Sequence, residues 1–206
     1  MTTAPDGRSL VGSVVRLDLM TPDDGPALFA ALDDPRVWAS GYAGGAPARP
    51  KDAAAITPLV EAGVQAGRRG ERAAYVVRLT GSELGPARTV VGTTSLGDVD
   101  LVNERVHLGW TAYGPRWWGT AVNPECKLLL LTHAFDHCGF GRVKIQTDGL
   151  NERSQAAIAR LGATREGVLR RHRRRSDGSF RDTVVYSVLA QEWPAVRAGL
   201  LARLEG

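Results

Sequence analysis

Residues 116 to 125, Arg-Trp-Trp-Gly-Thr-Ala-Val-Asn-Pro-Glu, carry an extended segment through a turn of small residues straight into a long apolar helix. Upstream, Val106 to Tyr113 is rich in aromatic and branched residues and reads as a strand, weakened in its middle by Gly109. Downstream, Cys126 to Cys138 carries Leu128, Leu129, Leu130, Leu131, Ala134 and Phe135, a stripe too wide for a surface helix, which predicts burial on most sides. Pro124 suits a first helical turn, with Asn123 as the cap before it. A helix that starts this way offers unpaired backbone N–H groups and a positive dipole end, and Gly119 and Ala121 leave room for a ligand to approach. Arg116 adds fixed positive charge. The combination suits a phosphate or pyrophosphate, although a tight connection without a ligand uses the same residues. The spacing is neither G-x-x-x-x-G-K-[ST] nor G-x-G-x-x-G, so it supports neither a nucleoside-triphosphate loop nor a dinucleotide loop.

The chain has 206 residues, enough for one domain with a substantial core, expected over residues 13–206 behind a loose leader at residues 1–12. Lys and Arg total 26 against 22 Asp and Glu, a net charge of +4 that permits an acidic ligand without arguing for nucleic acid. Cys126 and Cys138 fall on one expected helix about 18 Å apart, beyond disulfide reach, so neither a disulfide framework nor a metal site is indicated. No apolar run approaches the roughly 20 residues of a membrane span, and the N-terminus lacks a basic-then-apolar signal; the reading is a cytoplasmic protein.

In order, Val14 to Leu19 reads as a strand. Thr21-Pro22-Asp23-Asp24 opens a helix that ends near Pro35, and Val37 to Pro50 is a glycine- and proline-rich loop carrying Trp38 and Tyr42. Lys51 to Gly67 is a second helix interrupted by Pro58 and Gly63. Ala73–Leu79 and Thr89–Leu96 form a hairpin, and Asp98 to Glu104 connects to the strand before the turn. Arg142–Thr147 is a strand and Ser154–Leu161 a helix. Thr164–Arg173 and Arg181–Leu189 are paired strands joined by a turn at Ser176 to Ser179, and Gln191 to Leu204 is a terminal helix interrupted at Pro194. This succession describes an α/β fold, a mixed sheet covered by helices.

Arg116-x-x-Gly119-x-Ala121 matches the [QR]-x-x-G-x-[GA] signature of the GNAT superfamily, the acyl-coenzyme A (acyl-CoA) dependent N-acyltransferases. Asn151-Glu152-Arg153-Ser154 resembles the family's N-x-x-S segment. Leu161-Gly162-Ala163 with Glu166-Gly167 resembles the run typical of the branch related to ribosomal-protein N-terminal acetyltransferases (RimJ/RimL-type). The resemblance implies a mostly antiparallel central sheet flanked by helices, in which two neighbouring strands splay apart to admit acetyl-CoA or another acyl-CoA such as succinyl-CoA. It implies that the backbone at Trp110 and Thr111 pairs with the pantetheine arm and that N–H groups from Trp117 through Trp118, Gly119, Thr120 and Ala121 to Val122 hold the pyrophosphate. It further implies that Asn151 bonds the pantetheine and that Ser154 stands near the thioester sulfur. Asn151 is equally a helix N-cap, and Ser154 its capping partner. The resemblance also implies a primary-amine acceptor, on a protein N-terminus or a small molecule, and a homodimer, which family members often form.

The sequence departs from the family where a base is expected. Many relatives carry a carboxylate two residues before the strand glycine, where this chain has His107, and members acting on ribosomal proteins carry an acid at the position of Arg173. Imidazole as a group titrates near neutral pH, which makes His107 a chemically suitable substitute, with Glu104, His172, Asp182 or a water chain as alternatives. A non-catalytic CoA-binding module is the reading left if no base exists. The run Arg170-Arg171-His172-Arg173-Arg174-Arg175 would, by strand alternation, put Arg171, Arg173 and Arg175 on one face and Arg170 and Arg174 on the other. Facing the cleft, one row would favour an anionic acceptor or a succinyl group; otherwise the hairpin is a solvated tip.

Overall fold

A computed structural model of the chain describes residues 1–81, 83–175 and 177–205; Ser176, in the expected hairpin turn, lies outside the described residues. Eight strands form one sheet: β1 (Leu10–Val11), β2 (Val15–Leu19), β3 (Arg72–Leu79), β4 (Val90–Asp100), β5 (Arg105–Tyr113), β6 (Arg142–Asp148), β7 (Thr164–Arg174) and β8 (Phe180–Leu189). Their order is β1-β2-β3-β4-β5-β6-β8-β7, and only β5 and β6 run parallel. The helices are α1 (Gly25–Leu32), α2 (Pro35–Ala39), α3 (Thr57–Arg68), α4 (Val122–Thr132), α5 (Glu152–Leu161) and α6 (Trp193–Glu205). The sheet is thus mixed and mostly antiparallel with helices flanking it, as expected, and β1 is a strand beyond the seven anticipated. Central strands bury both faces: Ala73 to Val77 of β3 and Val91 to Leu96 of β4 are buried throughout.

Several boundaries differ from expectation for local reasons. Residues 1–12, expected to be loose, are tied down: Thr3 N–H donates to the Cys138 carbonyl at 2.9 Å, and Leu10 pairs with Leu17 in β1. Asp34 caps α2 by accepting the Arg36 N–H at 2.9 Å, and the Trp38 indole N–H donates to the Leu32 carbonyl at 2.9 Å. The loop therefore begins later than Val37, and Trp38 is core packing. Pro58 and Pro194 each fall in a first helical turn, where proline loses no hydrogen bond, so neither interrupts a helix; α3 starts at Thr57, not Lys51. The α4 helix starts at Val122 with Ala121 in the cap position, so Asn123 lies inside the helix and is not its cap. After Thr132 the helix continues as one π-helical segment, His133–His137.

Two features place the site. Glu125, only 4% exposed, fixes the first turns of α4 to the sheet: its carboxylate accepts N–H bonds from Ser13 (2.9 Å), Val14 (2.8 Å) and Val15 (2.6 Å) and the Ser13 hydroxyl (2.8 Å). Next, β5 carries a bulge. Thr93 pairs with Ala112 and Ser95 with Gly109, so one residue of β4 faces two of β5, and Trp110 takes φ 49° to absorb the extra residue. Parallel pairing of β5 with β6 covers only Arg105↔Arg142, Val106↔Val143 and His107↔Lys144. Beyond His107 the strands part, which is the splay the family resemblance implies.

Candidate active site

The parted strands open a cleft of about 1320 Å³. One end is built by the turn before α4, where Trp118, Gly119, Thr120 and Ala121 line the wall. Gly119 adopts φ +77°, a left-handed conformation that glycine takes without strain, and a Cβ there would meet nothing within 4 Å. The Thr120 hydroxyl donates to the Trp117 carbonyl at 2.8 Å, and the Trp118 indole donates to the Tyr113 carbonyl at 2.7 Å; these bonds set the turn. The first N–H groups of α4 lack intrahelical partners by construction, and they start at this wall.

Arg116 does not line the cleft; its guanidinium sits 5.9 Å from the Trp117 ring. Val122 is fully buried, and only its backbone belongs to the turn. Positive charge at this end comes instead from Arg153, stacked 3.2 Å from the centre of the Trp118 ring; Arg160 and Arg203 also line the cleft. Asn151 and Ser154 line the cleft at the start of α5. The Asn151 side-chain oxygen accepts the Ser154 N–H at 3.0 Å, the expected cap, while its NH₂ donates to the Ser40 carbonyl at 2.9 Å.

In the middle of the cleft Trp110, Thr111 and His107 lie together. His107 is 5% exposed; its Nδ1 lies 3.2 Å from Asp98 Oδ2, and its Nε2 is buried with no hydrogen-bond partner among the described residues. Asp98 also accepts from Lys144 Nζ at 3.2 Å, and the histidine contact, followed by the lysine, holds its carboxyl well below the usual carboxylate range. Burial pushes the His107 imidazole below its ordinary value against the pull of Asp98, which favours the neutral ring. An ionised carboxylate fixes the proton on Nδ1 and leaves the Nε2 lone pair as the free group. Gly109, which weakens the strand as read from sequence, provides clearance: a Cβ there would stand 2.6 Å from His107 Nε2. Of the alternatives, Glu104, His172 and Asp182 do not line this cleft.

Lys127 is a functional candidate that sequence reasoning passed over. It is 8% exposed on the cleft wall, and its Nζ reaches only the Thr111 hydroxyl at 3.4 Å, which in turn lies 2.8 Å from that of Thr94. Burial lowers its pKa to about 8. The chain has three lysines, and one set among the leucines of an apolar helix was the available signal. Asp98 carried no such signal, because its residue fell in an expected loop and its partner lies across the β4–β5 ladder.

Residues 15–164 match the family model described as Acetyltransferase (GNAT) domain, and the chain belongs to that family. Over 106 residues it is 32% identical to "Putative ribosomal N-acetyltransferase YdaF" of Bacillus subtilis (strain 168), an alignment covering 51% of this chain and 56% of that relative. The match thus spans little more than half the relative's length. A GCN5-related N-acetyltransferase from Brucella melitensis shares the fold with a TM-score of 0.86 and 26% identity, covering 98% of this chain and 88% of that one. Mycobacterium smegmatis RimJ, solved in complex with CoA-disulfide, has a TM-score of 0.79 at 18% identity over 97% and 96% of the two chains, a likeness of fold.

Proposed function

We propose that the protein transfers an acetyl group from acetyl-CoA directly to a primary amine, with His107 as the base that takes the amine's proton. The observation that carries this is the buried, unpartnered Nε2 of His107 at the parting of β5 and β6, its other nitrogen anchored on Asp98. The cleft suits an acyl-CoA. Beyond His107 the edge of β5 has no β6 partner and is free to pair with an extended arm, the turn at Gly119 supplies N–H groups, and Arg153 with Lys127 supplies positive charge.

In this reading the amine nitrogen attacks the thioester carbonyl carbon. The C–N bond forms as the C–S bond breaks, Nε2 of His107 accepts the ammonium proton, and the departing CoA thiolate is stabilised by a hydrogen bond from the Ser154 hydroxyl. No acyl-enzyme is needed. The name of the Bacillus relative supports a ribosomal-protein N-terminus as one acceptor, and a small-molecule amine fits the same chemistry. Two free, buried cysteines accord with a cytoplasmic location, and a homodimer belongs to the same reading through the family.

Thiol release from acetyl-CoA, measured across peptides and small amines, tests the proposal. Amine-dependent release is expected, falling about 10²-fold or more in His107→Gln with acetyl-CoA affinity unchanged. Binding of acetyl-CoA with no amine-dependent release would make the protein a CoA-binding module instead.

A further inference from the structure

The arginine run at the β7–β8 hairpin does not alternate as an ordinary strand. Leu169 pairs with Thr183 and Arg173 with Arg181, so three residues of β7 stand against one of β8. Arg171 takes φ 53° within this bulge, and its N–H donates to Asp182 Oδ1 at 2.7 Å. The bulge turns Arg171 outward, where its guanidinium lies 3.8 Å from the Phe180 ring centre and that of Arg174 lies 5.5 Å away. Arg171 belongs to the solvated tip. Arg173, Arg174, Arg175 and Arg181 line the cleft.

These four arginines share the cleft lining with one carboxylate among the described residues, that of Asp148. Asp148, with 7% of its side chain exposed, binds Arg175 Nη2 at 2.8 and 2.9 Å and accepts the Leu150 N–H at 3.0 Å; Arg181 approaches it only to 4.0 Å. Arg181 Nε is spent on the neutral Thr183 hydroxyl at 3.1 Å. No carboxylate among the described residues pairs with Arg173. The nearby acids are engaged, Asp98 by His107 and Lys144 and Asp182 by the Arg171 backbone. Like charges directly opposite in an antiparallel pair are destabilising, and in the Arg173↔Arg181 pair Arg181 is sheltered, with 18% of its side chain exposed, while Arg173 is exposed. Arg173 also contributes to lowering the proton affinity of His107, so the cluster acts on the proposed base electrostatically.

We infer that Arg173 and Arg181, framed by the Asp148–Arg175 pair, form an anion subsite beside the reacting centre, which receives a carboxylate or phosphate carried by the acceptor amine or by the far end of the acyl group. The inference rests on the acyltransferase reading and narrows its substrate class. Guanidinium groups on two paired strands present planar donor forks that match a carboxylate or phosphate.

The test is a calorimetric titration of malonate into the full-length protein saturated with CoA, which keeps the phosphate-binding turn filled. Malonate binding is expected, weakened at least about tenfold in Arg173→Gln and in Arg181→Gln and unchanged in Arg170→Gln, a residue of the same run outside the cleft. No malonate binding, or binding indifferent to both cleft variants, overturns the subsite. Two further arms locate the anion. Succinyl-CoA bound at least tenfold more tightly than acetyl-CoA places it on the acyl group. Equal donor affinities, with thiol release faster for an amino acid than for its amide, place it on the acceptor. Malonate binding with neither preference overturns the subsite as a substrate site. Failure of CoA itself to bind refutes the acyltransferase reading separately, since malonate titrated alone still reports the cluster.

Discussion

Replacing Lys127 with methionine should make the protein more stable and a poorer enzyme. Lys127 is buried with no carboxylate beside it; its neighbour Cys126 is no counter-charge, because burial pushes that thiol up to about 12. The fold lowers the lysine pKa from 10.5 to about 8. At about 1.4 kcal/mol per pH unit, keeping the ammonium charged in this place costs about 3 kcal/mol at neutral pH. Methionine has similar length and no charge, so it removes that cost and loses one hydrogen bond to Thr111, worth about 1 kcal/mol. The net is about 2 kcal/mol of added stability, or a Tm higher by about 4–8 °C for a chain of this size. The sign follows from linkage. Below pH 8 the lysine is protonated in both states and the wild type bears the full cost; between about 8 and 10.5 the folded protein sheds a proton that the unfolded chain keeps, and the wild type gains on the variant. Thermal unfolding of both proteins from pH 7 to pH 10 reads this directly. A variant less stable at pH 7, or a difference that does not shrink as pH rises, would refute the argument. Acetyl-CoA affinity should fall in the same variant, since a charge kept at such cost on a cleft wall is expected to serve an anionic ligand.

The pH dependence of kcat/KM should show an acid limb below the ordinary histidine value of about 6.5, because His107 works only when neutral and burial lowers its pKa; the residual activity of His107→Gln should lack that limb, and a limb that persists would assign it to another group. Gly119→Val places a branched side chain at φ +77°, straining the backbone by about 1–2 kcal/mol, and should weaken acetyl-CoA at least about tenfold by calorimetry; unchanged affinity would remove the turn from the binding site. Glu125→Ala leaves the N–H groups of Ser13, Val14 and Val15 without their acceptor, and at about 1–3 kcal/mol for each buried donor the loss in thermal stability should reach several kcal/mol; a variant with wild-type Tm would mean that water replaces the carboxylate.

Local patterns reached far into this fold because most of its elements are locally determined. The strand–turn–helix around Gly119, the Asn151 cap of α5 and the paired strands β7 and β8 all follow from residues within a few positions of one another. What escaped depends on partners distant in the chain. Pro58 and Pro194 look like interruptions in the sequence but sit in first helical turns, since a proline in a first turn and one in a helix interior look alike until the boundary is known. Arg116 was credited with a charge at the cleft that Arg153 supplies, because stacking on Trp118 is a tertiary contact. Alternation assigned the arginines of β7 to faces that the bulge at Arg171 redistributes, and no local signal marks that bulge apart from the positive φ itself.

The glycines of the central strands carry the same lesson with opposite sign. By propensity Gly97 and Gly109 weaken β4 and β5, yet each is the clearance for a ring: a Cβ on Gly97 would lie 2.8 Å from the Trp110 indole, and one on Gly109 would lie 2.6 Å from His107 Nε2. The two rings pack 4.9 Å apart, at the bulge of Trp110 that interrupts the β4–β5 ladder. One extra residue in β5 thus re-aims the strand just past the point where its pairing with β6 ends, and the missing side chains let an imidazole fold back over the backbone with one nitrogen free. Restoring ordinary strand residues at both glycines would fill the space in which the proposed base operates.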